Sequence, residues 1–186
     1  MAAKTHYYLG VLAERRGETG VALAMYESAL VLAPLGPLAE EALWWKSQLL
    51  DGRYSPYLGE AAAAYAELAD RFPNGERGRE AKFQAGLLHF QQGYYAEAIV
   101  HWGEFLDGLD KPPQLARGHY WLGRAANILA DETLATVHFR QAIVSAPSDY
   151  YALRARHFLN EIEVFDEWEI ELTPQTHLDW VEVEDW

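Results

Sequence analysis

A short segment near the start of the chain recurs 113 residues later, and this repeat constrains the fold more than any other feature. Residues 5–10 read Thr-His-Tyr-Tyr-Leu-Gly, and residues 118–123 read Gly-His-Tyr-Trp-Leu-Gly. The same offset aligns four further pairs: Ala22 with Ala135, Tyr26 with Phe139, Ala29 with Ala142, and Pro34 with Pro147. An offset that holds over so many positions indicates two equivalent structural units rather than a chance similarity.

The spacing within each unit is that of a tetratricopeptide repeat, with Leu-Gly in a first helix, Ala, an aromatic and Ala in a second helix, and a closing Pro. Gly and Ala let the two antiparallel helices approach closely, and Pro ends the second helix because it cannot continue it. Two more units fit between these. The third contains Gly86, Gly93, Ala98, Trp102, Phe105 and Pro112-Pro113; the degenerate second contains Ala61, Tyr65 and Pro73, with Leu49 in place of the Gly.

The repeat predicts an all-α fold, an α-solenoid of about four tetratricopeptide-like helical hairpins over residues 1–160. The expected helices cover residues 3–16, 20–33, 38–51, 57–72, 78–92, 95–108, 114–129 and 132–146. Ser55-Pro56 predicts the start of the fourth helix, as an N-cap followed by Pro. A ninth helix, with Ser148 as its N-cap and residues 150–159 as its body, is expected to cap the last exposed face.

The last 26 residues, 161–186, differ from the rest in composition and pattern. The chain has a net charge of −13, and ten of its acidic residues lie here without any Lys or Arg, so residues 1–160 carry only −3. Apolar residues alternate loosely with the acids, which predicts an extended acidic tail or linker. Its three Trp argue against complete disorder. The tail either packs along its own solenoid, links to a further domain, or docks on a partner or a neighbouring copy.

The first helices are expected to line a concave surface that holds an extended or helical peptide, or a glycan. The candidate binding residues on it are Tyr7, Phe90, Arg117, Tyr120, Arg124 and Asn127. At least half of the aromatics on this face are expected to serve packing between repeats instead. Packing is the preferred interpretation for Phe83, and the role of Tyr120 is left open.

The sequence contains no recognisable catalytic, metal or cofactor site. The chain has no Cys, which excludes disulfides and thiolate ligands, and its seven His lack His-Glu-x-x-His spacing. His6 and His119 occupy the same place in two repeats, which points to packing. No basic patch indicates a nucleic-acid partner, and no apolar run approaches the length of a membrane helix.

Two segments carry a family resemblance. Residues 116–125 read Ala-Arg-Gly-His-Tyr-Trp-Leu-Gly-Arg-Ala, and residues 146–156 read Ala-Pro-Ser-Asp-Tyr-Tyr-Ala-Leu-Arg-Ala-Arg. They resemble the last helices of the superhelical region in bacterial soluble lytic murein transglycosylases. The resemblance implies a parent enzyme of the cell envelope, periplasmic or extracellular, that cleaves peptidoglycan glycan strands with a covalently attached catalytic domain.

The chain departs from that family where catalysis would lie. The family's Gly-Leu-Met-Gln segment is absent, and Glu27-Ser28 falls in a second helix where Ala29 packs. The leading hypothesis is therefore a non-catalytic scaffold, cut from the superhelical region of such an enzyme, which positions the catalytic domain and glycan or peptide. The alternative is a tetratricopeptide adaptor that binds a peptide in its concave groove, and it would leave the chain cytoplasmic. An independent small enzyme is disfavoured because no site is visible.

Overall fold

The computed structural model describes residues 1–52 and 57–159, and this part of the chain is built from helices without any strand. The helices are α1 (Ala2–Arg15), α2 (Thr19–Leu32), α3 (Ala39–Leu50), α4 (Leu58–Arg71), α5 (Glu76–Gln91), α6 (Tyr95–Leu106), α7 (Pro112–Ile128), α8 (Glu132–Ser145) and α9 (Tyr150–Phe158). The all-α prediction is confirmed, with every bound within about two residues of expectation. The predicted start at Ser55-Pro56 and the acidic tail, residues 161–186, lie outside the described residues.

The helices stack as antiparallel hairpins. Each helix packs against the next one along the chain, α3 also contacts α5, and α7 also contacts α9. The contact of α3 with α5 and the ion pair between Arg117 on α7 and Glu80 on α5 place the first helices of the last three hairpins side by side. The surface that they form is called the first-helix face below. Within the described ranges, none of the helices has the length and apolar character needed to cross a membrane.

One aromatic pair forms the centre of every hairpin. The second-helix member lies seven residues after the first residue of its helix and is at most 2% exposed. Its partner comes from the first helix, with ring centroids 5.9–6.3 Å apart. The four pairs are Tyr7–Tyr26, Trp44–Tyr65, Phe83–Trp102 and Tyr120–Phe139. The four hairpins are thus copies of one packing arrangement, in which tilted or edge-on rings fill the space between two helices.

A Gly three residues after the first-helix aromatic makes this close approach possible. A Cβ added at Gly86 would lie 2.5 Å from Nε1 of Trp102, closer than any side chain tolerates. The equivalent distances are 2.8 Å from Gly10 to Tyr26 and 2.7 Å from Gly123 to Phe139. The Leu-Gly signal in the sequence therefore marks the point where the second-helix ring lies on the backbone of the first helix.

In the second hairpin the small residue is Ser47, and the assignment of Leu49 to this position was wrong. Ser47 is fully buried, lies three residues after Trp44, and donates its hydroxyl to the carbonyl of Leu43 at 2.8 Å. Leu49 is partly exposed. The error arises because seven residues connect α3 to α4, whereas three connect the helices of each other hairpin. Counting back across this longer connection therefore places the small residue at Leu49 instead of Ser47.

The closing prolines divide into two kinds. Pro34, Pro73 and Pro147 each stand two residues after a second helix, as predicted. The residue before each has similar backbone angles, with φ between −150° and −130° and ψ between 55° and 81°, and its carbonyl accepts a turn hydrogen bond of 2.9–3.1 Å. Pro112 instead opens α7 at its first turn, so its assignment as a closing residue was wrong. Pro suits that position because the N–H it lacks would have no helical partner there.

The N-cap of α9 also differs from expectation. The carboxylate of Asp149, rather than Ser148, accepts the backbone N–H of Tyr151 at 2.8 Å. Both residue types cap helices well, so the sequence favoured the wrong neighbour by one position. With α9 in place, Ala155 is fully buried and Phe158 stacks on Phe139 at 4.9 Å. The helix therefore covers the last hairpin as predicted.

Candidate functional site

A cavity of about 310 Å³ opens on the first-helix face, between α3, α5 and α7. It is called the central cavity below. Its lining residues are Trp44, Glu76, Arg77, Arg79, Glu80, Phe105, Lys111 and Gln114. Cations and aromatic rings meet here because the amino-terminal turns of α5 and α7 converge beside the Trp of α3.

Two arginines bordering this region tie successive first helices together. Arg77 on α5 pairs with Glu41 on α3 at 2.8 Å, and its guanidinium lies 5.4 Å from the ring centroid of Trp44. Arg117 on α7 pairs with Glu80 on α5 at 2.6 Å and lies 3.8 Å above the ring of Phe83. Each arginine thus combines an ion pair with a cation–π contact to the preceding unit. Arg117, a predicted binding residue, takes part in inter-repeat packing and leaves 20% of its side chain exposed.

The remaining cations of the central cavity have no such partner. Within the described residues, neither Arg79 nor Lys111 forms an ion pair. The side-chain oxygen of Gln114 is buried there without a hydrogen-bond partner. The lining also includes Glu76, whose carboxylate forms no ion pair among the described residues, so Arg79, Lys111 and Glu76 leave one net positive charge in the cavity. Two unpaired cations beside an aromatic wall suit an anionic segment carrying a large apolar side chain.

Three predicted binding residues meet in a second cluster nearer the carboxyl end of α7. The guanidinium of Arg124 lies within 6 Å of four ring centroids, those of Phe90, Tyr120, Trp121 and Phe158. It also donates to the hydroxyl of Tyr120 at 3.1 Å. Tyr120 is only 2% exposed, so its ring belongs to the core. Tyr120 therefore occupies a packing position, which is one of the two interpretations that the sequence left open.

The other two predicted residues lie apart from this cluster. Tyr7 is 8% exposed at the opposite end of the stack, where burial and the charge of Glu41 raise its pKa. Asn127 is exposed near the end of α7. A binding role for these six residues stays a prediction.

Sequence reasoning missed the residues that make the central cavity. Trp44 was hidden by the misaligned second unit. Its signal becomes visible only when Ser47 takes the place of the Gly, since an aromatic then stands three residues earlier in all four units. Lys111 carried a weaker signal, because its place before Pro112 indicates only that it lies at the start of a helix.

Two histidines join α7 to α8 at the outer side of the last hairpin. The Nδ1 atoms of His119 and His138 are 3.1 Å apart, so one imidazole donates a hydrogen bond to the other. Burial, together with His138, lowers the pKa of His119 to about 4, and burial lowers the pKa of His138. Residues 1–52 and 57–159 contain no group of three or more potential metal ligands. Because both pKa values are lowered, the pair is neutral at pH 7, and its hydrogen bond links α7 to α8.

This link makes stability depend on pH. We expect the free energy of unfolding to fall as the pH drops from 6.5 towards 4, because the unfolded chain binds protons that the folded pair excludes. At higher pH both imidazoles are neutral in either state. Since His119 is partly exposed, screening limits its share of the loss between pH 7.5 and pH 5 to about 1–2 kcal/mol. Urea unfolding midpoints at the two pH values measure this loss.

His119→Leu is the matched variant, since Leu43 fills the equivalent position in the second hairpin. It should lose less stability than the parent chain on acidification, because its carboxylates titrate alike and only the imidazole pair is removed. Equal losses in the two proteins would contradict the assignment.

Comparisons with known proteins address the fold. No protein-family model matches the chain, and no curated protein sequence matches it. Among solved structures, a tetratricopeptide repeat protein from Parabacteroides merdae aligns with a TM-score of 0.69 and 14% identity over 86% of this chain and 59% of its own. MamA from Desulfovibrio magneticus aligns with a TM-score of 0.62 and 17% identity over 86% of each chain.

A third neighbour, PilF from Pseudomonas aeruginosa, has a TM-score of 0.57 and 16% identity over 86% of this chain and 67% of its own. At such identities the likeness concerns the fold alone. It agrees with the stack of antiparallel helical hairpins described above. The described part of the chain is therefore an α-solenoid of tetratricopeptide-like helical hairpins.

Proposed function

We propose that the chain is a non-catalytic interaction module that binds an acidic peptide segment in its central cavity. The observation that supports this most directly is the pairing state of the cations. Arg77 is already matched by an acid of the same chain, whereas Arg79 and Lys111 are not matched within the described residues. Cations that a scaffold does not use for its own stability are available to an incoming carboxylate.

The geometry also sets what accompanies the carboxylates. Trp44 and Phe105 form apolar walls, and about 310 Å³ suffices for one large side chain of the ligand. The side-chain oxygen of Gln114 is buried without a partner, and rotation of this side chain towards a bound peptide would let the oxygen accept a backbone N–H. An aromatic anchor in a desolvated pocket with charge pairs at its rim is the usual basis of affinity in such interfaces. The preferred ligand is therefore an extended segment with one aromatic residue and flanking acids.

A selection from a random peptide library displayed on phage tests this proposal. The full chain should enrich peptides that combine an aromatic residue with Asp or Glu. The double variant Arg79→Glu/Lys111→Glu should bind the enriched peptide about tenfold more weakly, since each partly exposed ion pair contributes about 0.2–1 kcal/mol and the reversed charges add repulsion. Isothermal titration calorimetry at fixed salt measures the difference.

The control is Arg16→Glu/Arg140→Glu, which changes the net charge equally at two exposed residues outside the central cavity. It should retain the parent affinity apart from a small long-range effect. Equal weakening in both double variants would show that net charge, rather than the cavity, governs binding.

A second candidate function is the scaffold of a peptidoglycan lytic transglycosylase in the cell envelope. It is supported by the sequence of residues 116–125 and 146–156 alone. In that case the first-helix face would accommodate glycan or peptide beside an attached catalytic domain. Cosedimentation of the full chain with purified peptidoglycan, without release of glycan fragments and without enrichment of any acidic peptide, would favour this function over the first.

A further inference from the structure

The chain carries a segment with the chemistry that the central cavity requires. Residues 161–186 contain ten carboxylates and no Lys or Arg, and they include Trp168, Trp180 and Trp186. The rest of the chain is nearly neutral, so this segment holds most of the net negative charge. Its composition matches the ligand inferred for the cavity, an aromatic residue with flanking acids.

The segment also follows a helix that lies within reach of the cavity. In this helix, α9, the Phe158 ring lies 5.2 Å from the guanidinium of Arg124 on α7. Gln114 in the cavity wall stands ten residues earlier on the same helix, which is about 15 Å along its axis. An extended chain covers that distance in about five residues, and 26 residues reach about 85 Å. Each of the three tail Trp is therefore within reach of the cavity.

Attachment to the same chain favours this occupant over a separate molecule. A tethered segment faces its site at an effective concentration on the order of millimolar. A neighbouring copy in dilute solution offers the same sequence at a far lower concentration. The arrangement of charge agrees with this, since acids of the tail would neutralise Arg79 and Lys111 without separating the Arg77–Glu41 pair.

We propose that the acidic tail, residues 161–186, occupies the central cavity of its own chain, with one Trp against Trp44 and Phe105 and neighbouring carboxylates on Arg79 and Lys111. This inference rests on the proposed function and adds a regulatory contact to it. A partner peptide then binds only by displacing the tail. The tail therefore lowers the apparent affinity for every ligand, and only a ligand that binds tightly enough to displace the tail occupies the cavity.

The absence of Cys permits a direct test on the full chain. A nitroxide is attached at Asp110→Cys, the exposed residue that precedes Lys111 of the cavity lining, or at Val144→Cys on α8, whose side chain is 73% exposed and is not part of that lining. The indole N–H resonances of the three tail Trp are identified through single Trp→Phe variants. We expect the Asp110 label to broaden at least one tail indole and the Val144 label to leave all three sharp. Absence of selective broadening would overturn the proposal.

Two further experiments test whether the tail contacts the cavity cations and which chain supplies the tail. Arg79→Gln/Lys111→Gln should remove the broadening, whereas Arg16→Gln/Arg140→Gln should retain it. Loss in both, or in neither, would contradict the role of the cavity cations. Mixing nitroxide-labelled chains with isotope-labelled chains that carry no nitroxide reports contacts between copies. Broadening in the mixture would show that a neighbouring copy supplies the tail and would refute the intramolecular form.

Replacing all three tail Trp with Ala in the full chain separates this inference from the proposed function. The library-derived peptide should bind that variant about tenfold more tightly than the parent chain, because its competitor is removed. Unchanged affinity would refute the tail contact while leaving the peptide-binding function standing. A tail that broadens as expected, together with no peptide binding to the Ala variant, would refute the proposed function instead.

Discussion

Replacement of Trp102 by Ala is expected to lower the free energy of unfolding by about 4 kcal/mol, the largest effect of any single substitution considered for this chain. The side chain is fully buried, and its ring contacts those of Phe83, Phe90 and Trp121. Its indole also donates to the carbonyl of Phe83 at 3.2 Å. Because each hairpin is stabilised by its neighbours, a cavity at the third unit weakens both sides of the stack. Urea unfolding followed by circular dichroism measures the loss.

Trp102→Phe is the matched control. Phe139 fills the same position in the last hairpin, so a phenyl ring suits this packing arrangement. We expect this variant to lose about 1–2 kcal/mol, the cost of a smaller ring and one hydrogen bond. If the Ala variant unfolded at the same urea concentration as the Phe variant, the aromatic pair would not be the centre of the hairpin.

Two glycines of the same hairpin should respond to Ala with opposite signs. Gly86→Ala is expected to lose about 2 kcal/mol, because the new methyl group would lie 2.5 Å from Nε1 of a fully buried Trp102. Gly103→Ala is expected to gain about 0.5–1 kcal/mol, since Gly103 lies inside α6 with no atom within 4 Å of the added Cβ. Differential scanning calorimetry of the two variants measures both shifts.

The comparison is informative because both changes remove the same backbone freedom from a helix. Any effect of helix propensity is shared, so the difference between the two variants reports the contact with Trp102. Stabilisation by Gly86→Ala would mean that the two helices separate at little cost. Tight packing at this Gly would then not be required.

The hairpins could be predicted from the sequence because their signals are local. Closing prolines at 34, 73 and 147, and Gly at 10, 86 and 123, act through the backbone of their own unit. The second unit could not be aligned correctly, because connection length is not encoded in the periodic pattern. The small residue of that unit, Ser47, could be identified only from its burial and from the packing of Trp44, three residues before it.

The candidate site was less predictable because the burial of a side chain depends on several units at once. Tyr120 and Arg124 lie one helical turn apart on α7, and sequence places both on the same face. The structure buries Tyr120 under residues of α9 while Arg124 stays partly exposed. Likewise, whether a cation such as Arg79 is already paired depends on side chains one repeat away. The periodic pattern predicts on which face of its helix a side chain lies, but it does not predict which side chains of other repeats lie next to it.

The aromatic pairs show how one packing arrangement accommodates different side chains within a single chain. One molecule uses Tyr, Tyr, Trp and Phe at the same second-helix position, and Tyr, Trp, Phe and Tyr opposite them. The position accepts Tyr, Trp or Phe, each packed against its own opposing ring, so the arrangement constrains the shape of the side chain more than its identity. What the four units of this chain have in common is therefore spacing rather than residue type.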